Sequence, residues 1–146
     1  QLDLLKIILR DLDIKKDQLT PNKARNQISY LKNKMITPEV QLRKARTLVE
    51  KTIAEVYKHY QKSLESNEAL DFDDLLLRPI EIFEKHPKIL LKYQKKWKYI
   101  LVDEYQDTNM PQFSFLTKLS EKHQNICVVG DDDQPMDRQP VIIVLQ

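Results

Sequence analysis

Acidic residues follow two short apolar runs, and their types and positions suit the binding of a cation. Residues 99–104 read YILVDE, so the first run ends directly in Asp103 and Glu104. Residues 126–133 read ICVVGDDD, so the second run reaches three aspartates through Gly130, the only glycine of the chain. Carboxylates beside buried apolar segments are costly unless a positive charge meets them. The pattern therefore predicts a cation site where the two runs end.

Two strands and the helix between them are the elements that must position these acids. Residues 99–102 and 125–129 are apolar runs too short for helices, and each predicts a buried strand. The sequence NMP at 109–111 predicts the start of a helix that runs to about Glu121. A strand–helix–strand unit places its strands in parallel, so both acidic clusters should lie at one edge of the sheet, where chemistry gathers in such folds.

The first two-thirds of the chain predict helices, because apolar residues recur at helical spacing behind capping residues. The predicted helices cover residues 2–12, 20–35, 37–66 and 87–96, with one more that Asp71 caps and that Pro79 should kink or break. The predicted buried faces comprise Ala24, Ile28, Leu31 and Met35 in the second helix, and Leu42, Ala45, Val49, Ile53, Val56, Tyr60 and Leu64 in the third.

Composition predicts a globular domain or a piece of a larger protein, and we expect the true start to lie upstream of Gln1. The 146 residues are 41% hydrophobic and 32% charged, and no apolar stretch is long enough to span a bilayer. No secretory signal is recognisable, so we expect a cytoplasmic protein without a membrane partner. Cys127 is the only cysteine, which excludes an internal disulfide, and its apolar neighbours predict that it is buried.

Charge divides unevenly along the chain. Residues 1–66 carry a net charge of +6, and residues 67–146 a net charge of −4. A basic segment joined to an acidic one is typical of a polyanion-binding surface beside a cation-binding site, although solvated helix faces would give the same excess. The candidate contacts to nucleic-acid phosphates are Lys23, Arg25, Lys32, Lys34, Arg43, Lys44 and Arg46.

An apolar strand that ends in Asp-Glu has the form of the second nucleotide-binding box of phosphate-loop ATPases. The sequences DEYQDTN at 103–109 and VVGDDDQ at 128–134 resemble the second and third boxes of the UvrD/PcrA/Rep family of superfamily-one DNA helicases. ALDFDDLLL at 69–77 resembles the segment that leads back into the ATPase core of that family. ARNQISYLKNKMITPE at 24–39 and YKHYQKSLESNEALDF at 57–72 resemble its inserted helical subdomain.

The resemblance implies an α/β fold, with part of a parallel-sheet, RecA-like phosphate-loop ATPase core and a large all-helical insertion subdomain. Residues 1–68 would form the insertion subdomain, and residues 69–134 would form part of the ATPase core. Residues 135–146 would be an atypical tail, foreign to the family. The implied function is that of a fragment of an ATP-dependent 3′–5′ DNA helicase, which couples ATP hydrolysis to translocation on single-stranded DNA and to unwinding.

The resemblance also implies ATP and Mg²⁺ as cofactors, single-stranded and junction DNA as partners, and roles for particular residues. Asp103 would help hold Mg²⁺, and Glu104 would be the catalytic base. Gln134 would sense the γ-phosphate of ATP, and Asp131 and Asp133 would shape the loop that carries it. Supporting roles in packing, capping or loop structure fall to Phe72, Asp73, Gln106, Asp107 and Asn109.

Several boxes of the family do not occur in this sequence. It has no adenine-contacting glutamine box, no glycine-rich phosphate loop and no second motor domain. We therefore expect the isolated chain to be inactive, with the rest of the motor on sequence outside it. The main alternative is a truncated, inactive module that binds nucleic acid or a protein partner. An upstream reading frame that encodes a phosphate loop would distinguish the two.

Other interpretations of the acidic clusters have less support. Acids can simply end a strand where a loop begins. A Gly-Asp-Asp turn of the kind found in RNA-copying polymerases needs a hairpin that this sequence does not predict. A metal-dependent nuclease needs a supporting histidine or glutamate near residues 131–133. The histidines at positions 59, 86 and 123 are scattered and lack metal-ligand spacing, so they predict ordinary surface residues.

Overall fold

The computed structural model describes residues 1–130 and the backbone of residues 141–145. The chain divides into two compact units, Gln1–Leu75 and Leu76–Gln146. The elements of the described part are α1 (Leu2–Asp11), α2 (Pro21–Asn33), α3 (Pro38–Lys44), α4 (Leu48–Ser66), α5 (Asp74–Lys85), α6 (Pro87–Lys96), β1 (Tyr99–Asp103), α7 (Met110–Ser120), β2 (Ile126–Val128) and β3 (Val141–Leu145).

Helices predominate in this fold. None of those in the described part is both long and apolar enough to cross a membrane. The cytoplasmic location and the domain boundaries after residues 68 and 134 stay predictions.

Helices α1, α2 and α4 enclose the apolar core of the first unit. Leu5 of α1 and Val56 of α4 are completely buried, and Ile28 of α2 is 3% exposed. These residues come from three amphipathic helices whose apolar positions recur every three or four residues, as the sequence predicts. The predicted buried positions that are confirmed are Ala24, Ile28, Leu31, Ile53, Val56, Tyr60 and Leu64.

The single helix predicted for residues 37–66 is wrong, because the chain forms α3 and α4 instead. Ala45 has an extended backbone after α3. The Thr47 hydroxyl then accepts a hydrogen bond from the Glu50 backbone N–H at 3.2 Å, and the Glu50 carboxylate accepts one from the Thr47 N–H at 3.0 Å. This reciprocal capping box gives α4 its own start. Leu42 and Val49, assigned to the buried face, are 42% and 58% exposed.

Removing the Thr47 hydroxyl should destabilise the first unit. We expect Thr47→Ala to lower the free energy of unfolding by about 1 kcal/mol, since an N–H group at the start of α4 loses its partner. Urea denaturation followed by circular dichroism measures this loss. Thr52→Ala is the matched control, because that hydroxyl bonds the Leu48 carbonyl within α4 and caps no helix start. Equal losses in the two variants would contradict a specific role for the cap.

Two further predictions of packing are wrong, and the break that Pro79 could have caused does not occur. Met35 lies beyond the end of α2 with a φ of 54° and is 37% exposed. Phe72 was expected to pack, but 84% of its surface is exposed. Helix α5 continues through Pro79, so a break there is wrong. Burial of Ile80 and Phe83 stabilises the turn that follows and offsets the lost hydrogen bond of the proline.

The second unit builds its core on strand β1. Ile100 and Val102 point into the core and are 2% and 0% exposed. Phe83 of α5 packs there, together with Leu116 and Leu119 of α7. The alternation of buried and less buried residues along β1 is what a strand with one covered face produces. This packing fixes the strand that carries Asp103.

Strand β1 pairs in parallel with β2, in a register that places Ile100 beside Ile126 and Val102 beside Val128. The predicted parallel strand–helix–strand unit is confirmed. Strand β3 was not predicted; its backbone pairs antiparallel with β1, which gives the order β2–β1–β3 among the described residues. The remainder of a RecA-like core stays a prediction.

The prediction that the second strand is buried is wrong. Ile126 is 37% exposed, Val128 is 47% exposed, and Cys127 is also exposed. Strand β2 lies at the edge of the described sheet, next to β1 alone. A short apolar run indicates a strand, but it does not indicate whether another strand covers its far side.

Candidate active site

The candidate site begins where strand β1 ends. Val102 is fully buried, while Asp103, the last residue of the strand, is exposed. Glu104 follows in the left-handed conformation, with φ 53° and ψ 42°, which non-glycine residues adopt rarely. The Asp103 Oδ1 atom accepts a hydrogen bond from the Glu104 backbone N–H at 2.9 Å and so holds this turn. Both carboxylates lie at the carboxyl end of a parallel strand, as the sequence predicts.

A short 3-10 turn, Tyr105–Asp107, follows β1 along the chain. Backbone hydrogen bonds hold it against the loop that follows β2. The Tyr105 N–H donates to the Val129 carbonyl at 3.0 Å, and the Val129 N–H donates to the Val102 carbonyl at 2.7 Å. These bonds continue the β1–β2 pairing beyond the strands. Residues 103–107 are therefore held beside the segment that leads into residues 131–134.

Gln106 contacts both loops through its side-chain amide. Its Nε2 atom donates to Glu104 Oε2 at 2.7 Å. On the other side, a β-carbon added to Gly130 would lie 2.6 Å from Gln106 Oε1. Such a distance is too short for a real contact, so a side chain at position 130 would require the end of the Gln106 side chain to move away. The sequence predicted only a supporting role for Gln106, and the lone glycine before DDD was the signal that could have shown the contact.

Asn109 starts helix α7 on the far side of the 3-10 turn. Its Oδ1 atom accepts a hydrogen bond from the Gln112 N–H at 2.9 Å, and Gln112 Oε1 accepts one from the Asn109 N–H at 3.0 Å. The predicted capping by Asn109 is confirmed. The connection from β1 to α7 is thus fixed at both ends, which limits where the carboxylates of Asp103 and Glu104 can lie.

Mg²⁺ is the cation that the donor set suits. It is commonly held in proteins by one or two carboxylates, with phosphates and water as the other ligands. Asp103 offers an exposed carboxylate beside the partly buried Glu104, so these residues fit that coordination. Within the described residues, no group of three or more His, Cys, Asp or Glu side chains is placed so that it could hold a metal ion. Asp131, Asp133 and Gln134 lie outside them, and their roles stay predictions.

A comparison with protein families decides where this chain belongs. The profile of the UvrD/REP helicase N-terminal domain matches residues 1–136. The chain belongs to the UvrD/REP helicase family. The match covers the first unit and the second unit as far as residue 136, including the site at the end of β1, so the UvrD/REP resemblance recognised in the sequence is confirmed.

Curated UvrD/REP-type relatives are similar to nearly the whole chain. The ATP-dependent DNA helicase PcrA of Staphylococcus epidermidis is 44% identical over 134 residues, which are 92% of this chain and 18% of the relative. The protein of that name from Bacillus subtilis is 41% identical over 138 residues, 94% of this chain and 19% of the relative. The chain therefore spans less than a fifth of the length of these relatives.

The first unit of this UvrD/REP domain contains a buried ion cluster. The Lys32 ammonium group, with a side chain 1% exposed, lies 2.7 Å from Asp71 Oδ2 and 2.8 Å from Asp74 Oδ1. The Tyr60 hydroxyl donates to Asp71 Oδ2 at 3.1 Å. Asp71 also caps α5, because its Oδ1 atom accepts from the Asp74 N–H at 2.9 Å. Because the Lys32 side chain is buried, its ammonium group cannot reach a phosphate of a nucleic acid bound at the surface. The prediction that Lys32 contacts nucleic acid is therefore wrong.

Asp71 and the nearby Asp73 have pKa values shifted in opposite directions. Burial raises the pKa of Asp71, but the hydrogen bonds from Lys32 and from the Asp74 backbone, with the Lys32 charge, outweigh burial and hold that pKa below its ordinary value. Burial raises the pKa of Asp73 and outweighs its hydrogen bonds from Ser29 and Asn33, both 3.2 Å long. The ion cluster thus favours an ionised Asp71.

Proposed function

We propose that this chain is part of the motor of an ATP-dependent DNA helicase. The observation that carries the proposal is the Asp103–Glu104 pair at the end of a buried parallel strand, in a chain of the UvrD/REP family. The similar PcrA proteins are named ATP-dependent DNA helicases, which supports ATP and DNA as ligands. Translocation from 3′ to 5′ on single-stranded DNA, and action at junctions, form part of this proposal through the family resemblance.

Each residue of the site has a distinct task in the proposed reaction. Asp103 would hold Mg²⁺, which when bound would offset the negative charge of the ATP phosphates. Glu104 accepts a proton from the attacking water, and the carboxylate needs a fixed orientation for this task. Gln134, outside the described residues, contacts the γ-phosphate in this proposal.

The domain assignment is part of the same proposal. Residues 1–68 form the helical insertion subdomain, residues 69–134 contribute to the ATPase core, and residues 135–146 form an atypical tail. The alternative function is that of a truncated module that binds nucleic acid or a protein partner without catalysis. The 146 residues hold one glycine and hence no glycine-rich phosphate loop, so taken by themselves they would bind without hydrolysing ATP.

A chimeric helicase tests the proposed function. Residues 1–130 of this chain would replace the matching segment of PcrA from Bacillus subtilis, which supplies the phosphate loop and the remaining boxes. We expect DNA-stimulated ATP hydrolysis and strand unwinding. Thermal unfolding and DNA binding serve as controls for a correctly folded chimera. A folded chimera that binds ATP and DNA yet hydrolyses nothing would contradict the proposed function and favour the binding module.

The isolated chain should release no phosphate from ATP. Hydrolysis needs backbone donors and a lysine of a phosphate loop around the phosphates, and the sequence has neither. Steady-state phosphate release with Mg²⁺ and single-stranded DNA measures this. DNA-stimulated turnover that Glu104→Gln abolishes would show that the isolated chain assembles a complete site, contrary to expectation.

The exposed basic residues of the first unit should give salt-dependent binding to single-stranded DNA. Each neutralised phosphate releases counterions, so we expect the log–log slope of affinity against salt to be about −0.7 per phosphate contact. Fluorescence anisotropy at several salt concentrations measures the slope. The candidate contacts are Lys23, Arg25, Lys34, Arg43, Lys44 and Arg46, which are all exposed or lie on exposed loops.

Two double substitutions distinguish binding at a particular basic surface from attraction of DNA by the net positive charge of the first unit. Arg43→Gln/Lys44→Gln should weaken binding and flatten the slope. Lys58→Gln/Lys62→Gln removes the same charge from exposed positions of α4 and should change binding less. Equal effects of the two pairs, or no binding in dilute buffer, would return these residues to the solvated-face interpretation.

A further inference from the structure

We propose that Gln106 is a positioning residue for Glu104, and that Gly130 is a glycine because the Gln106 amide needs the space. This inference rests on the proposed function of Glu104 as the base. It adds a residue that holds the base in place and a physical link from the base to the segment before residues 131–134.

The Glu104 carboxylate needs such a partner. Glu104 is the single residue between the end of β1 and the 3-10 turn, and its backbone is in the left-handed conformation. A glutamate side chain has three rotatable bonds, so its carboxylate would sample several orientations in this turn. The 2.7 Å hydrogen bond from Gln106 Nε2 to Glu104 Oε2 selects one of them. Hydrogen bonds to an ionised acceptor are stronger than those between neutral groups, so this one suits the task.

The backbone fixes the place of Gln106. The Asp107 N–H donates to the Glu104 carbonyl at 3.0 Å, and the Thr108 N–H donates to the Tyr105 carbonyl at 3.0 Å. These bonds close the 3-10 turn around Gln106. Its side-chain amide is therefore presented from a rigid turn rather than from a mobile loop.

Gly130 completes the arrangement from the other loop. A β-carbon at position 130 would lie 2.6 Å from the Gln106 Oε1 atom and 3.5 Å from the Gln106 backbone nitrogen. A methyl group there would push the amide away from Gly130 and so disturb its hydrogen bond to Glu104. Because Gly130 directly precedes Asp131, the Gln106 side chain links the carboxylate of the base to the residue before the second acidic cluster.

The first test uses the chain itself and needs no nucleotide. In the ¹⁵N-labelled protein, the side-chain amide signal of Gln106 is assigned by its loss in Gln106→Met. We expect Glu104→Gln and Gly130→Ala each to shift that signal, and Glu121→Gln, an exposed control, to leave it unchanged. A Gln106 signal that neither Glu104→Gln nor Gly130→Ala moves would overturn the proposed contact.

The second test measures the kinetic effect in the chimera described above. We expect Gln106→Met, which keeps the size of the side chain but removes the amide, to lower kcat for ATP hydrolysis about 10- to 100-fold through misplacement of the base. The KM for ATP should stay within a few-fold of the parent. Gly130→Ala should also lower kcat, but much less in the Gln106→Ala background, where the clash is absent.

The outcomes separate this inference from the proposed function. ATP hydrolysis at an unchanged rate by the Glu104→Gln chimera would contradict the proposed function itself. If the Glu104→Gln chimera loses ATP hydrolysis while the Gln106→Met chimera keeps full activity, only the positioning role of Gln106 is overturned. Equal losses from Gly130→Ala in both backgrounds would also overturn it, because the two residues would then act independently.

Discussion

Replacing Lys32 with methionine will lower the free energy of unfolding of the first unit by about 3–5 kcal/mol, the usual cost of breaking a buried ion pair from one side. The Lys32 ammonium group lies within 2.8 Å of carboxylate oxygens of both Asp71 and Asp74. All three side chains are at most 3% exposed. Methionine would fill most of the space but leave two buried carboxylates without their cation. Urea denaturation followed by circular dichroism measures the loss.

Two further variants show whether charge is the cause. Lys58→Met, at an exposed position of α4, should change stability by well under about 1 kcal/mol. Lys32→Met combined with Asp71→Asn and Asp74→Asn should recover much of the loss, because asparagine can still cap a helix but carries no charge. A Lys32→Met protein as stable as Lys58→Met would contradict a stabilising role for the ion cluster.

Acid should weaken the same cluster. The pKa of Asp71 is lower in the folded chain than its ordinary value, so its contribution is complete above the ordinary pKa of aspartate, about 3.9. That contribution is lost as the pH falls through the folded-state pKa. In Lys32→Met, the cation that lowers this pKa is gone, so acidification from neutral pH to about pH 3, below the ordinary pKa of aspartate, should cost less stability than it costs the parent. Urea denaturation of both proteins at neutral and acidic pH measures the difference.

Local signals in the sequence predicted the elements around the active site well. Strand β1 is a short β-branched run, and α7 begins at an asparagine closely followed by a proline, so both could be recognised from neighbouring residues alone. The same reasoning failed between α3 and α4, where apolar periodicity continued across the break. The capping pair of Thr47 and Glu50 was present in the sequence and should have outweighed that periodicity.

Contacts between distant residues could not be predicted in this way. The basic excess of the first segment places Lys32 among the candidate phosphate contacts, but its buried partner Asp71 is 39 residues away in the sequence. Gln106 and Gly130 are likewise brought together by the pairing of β1 and β2, which no local pattern expresses. The exposure of Cys127 follows from the edge position of β2, and strand order is a property of the whole sheet.

Glu104→Gln is expected to have the largest effect on function. In the chimera, glutamine keeps the shape of the side chain and leaves ATP binding largely intact, but it cannot accept a proton from water. General-base assistance is worth about 10²–10⁴-fold, so hydrolysis should fall by that factor. Asp103→Asn should instead weaken Mg²⁺-dependent nucleotide binding, because it removes the exposed charge at the end of β1. The two substitutions should thus have different effects: Asp103→Asn should weaken nucleotide binding, and Glu104→Gln should slow hydrolysis.

Single-turnover ATP hydrolysis by the parent chimera and by its Glu104→Gln variant, with ATP affinity measured on the same samples, is the decisive test of Glu104 as the base. We expect similar ATP affinity in the two proteins and a loss of about 10²–10⁴-fold in the rate of cleavage. Hydrolysis by Glu104→Gln within a few-fold of the parent would contradict this role, and the Asp103–Glu104 pair would then be a metal anchor or simply the end of a strand.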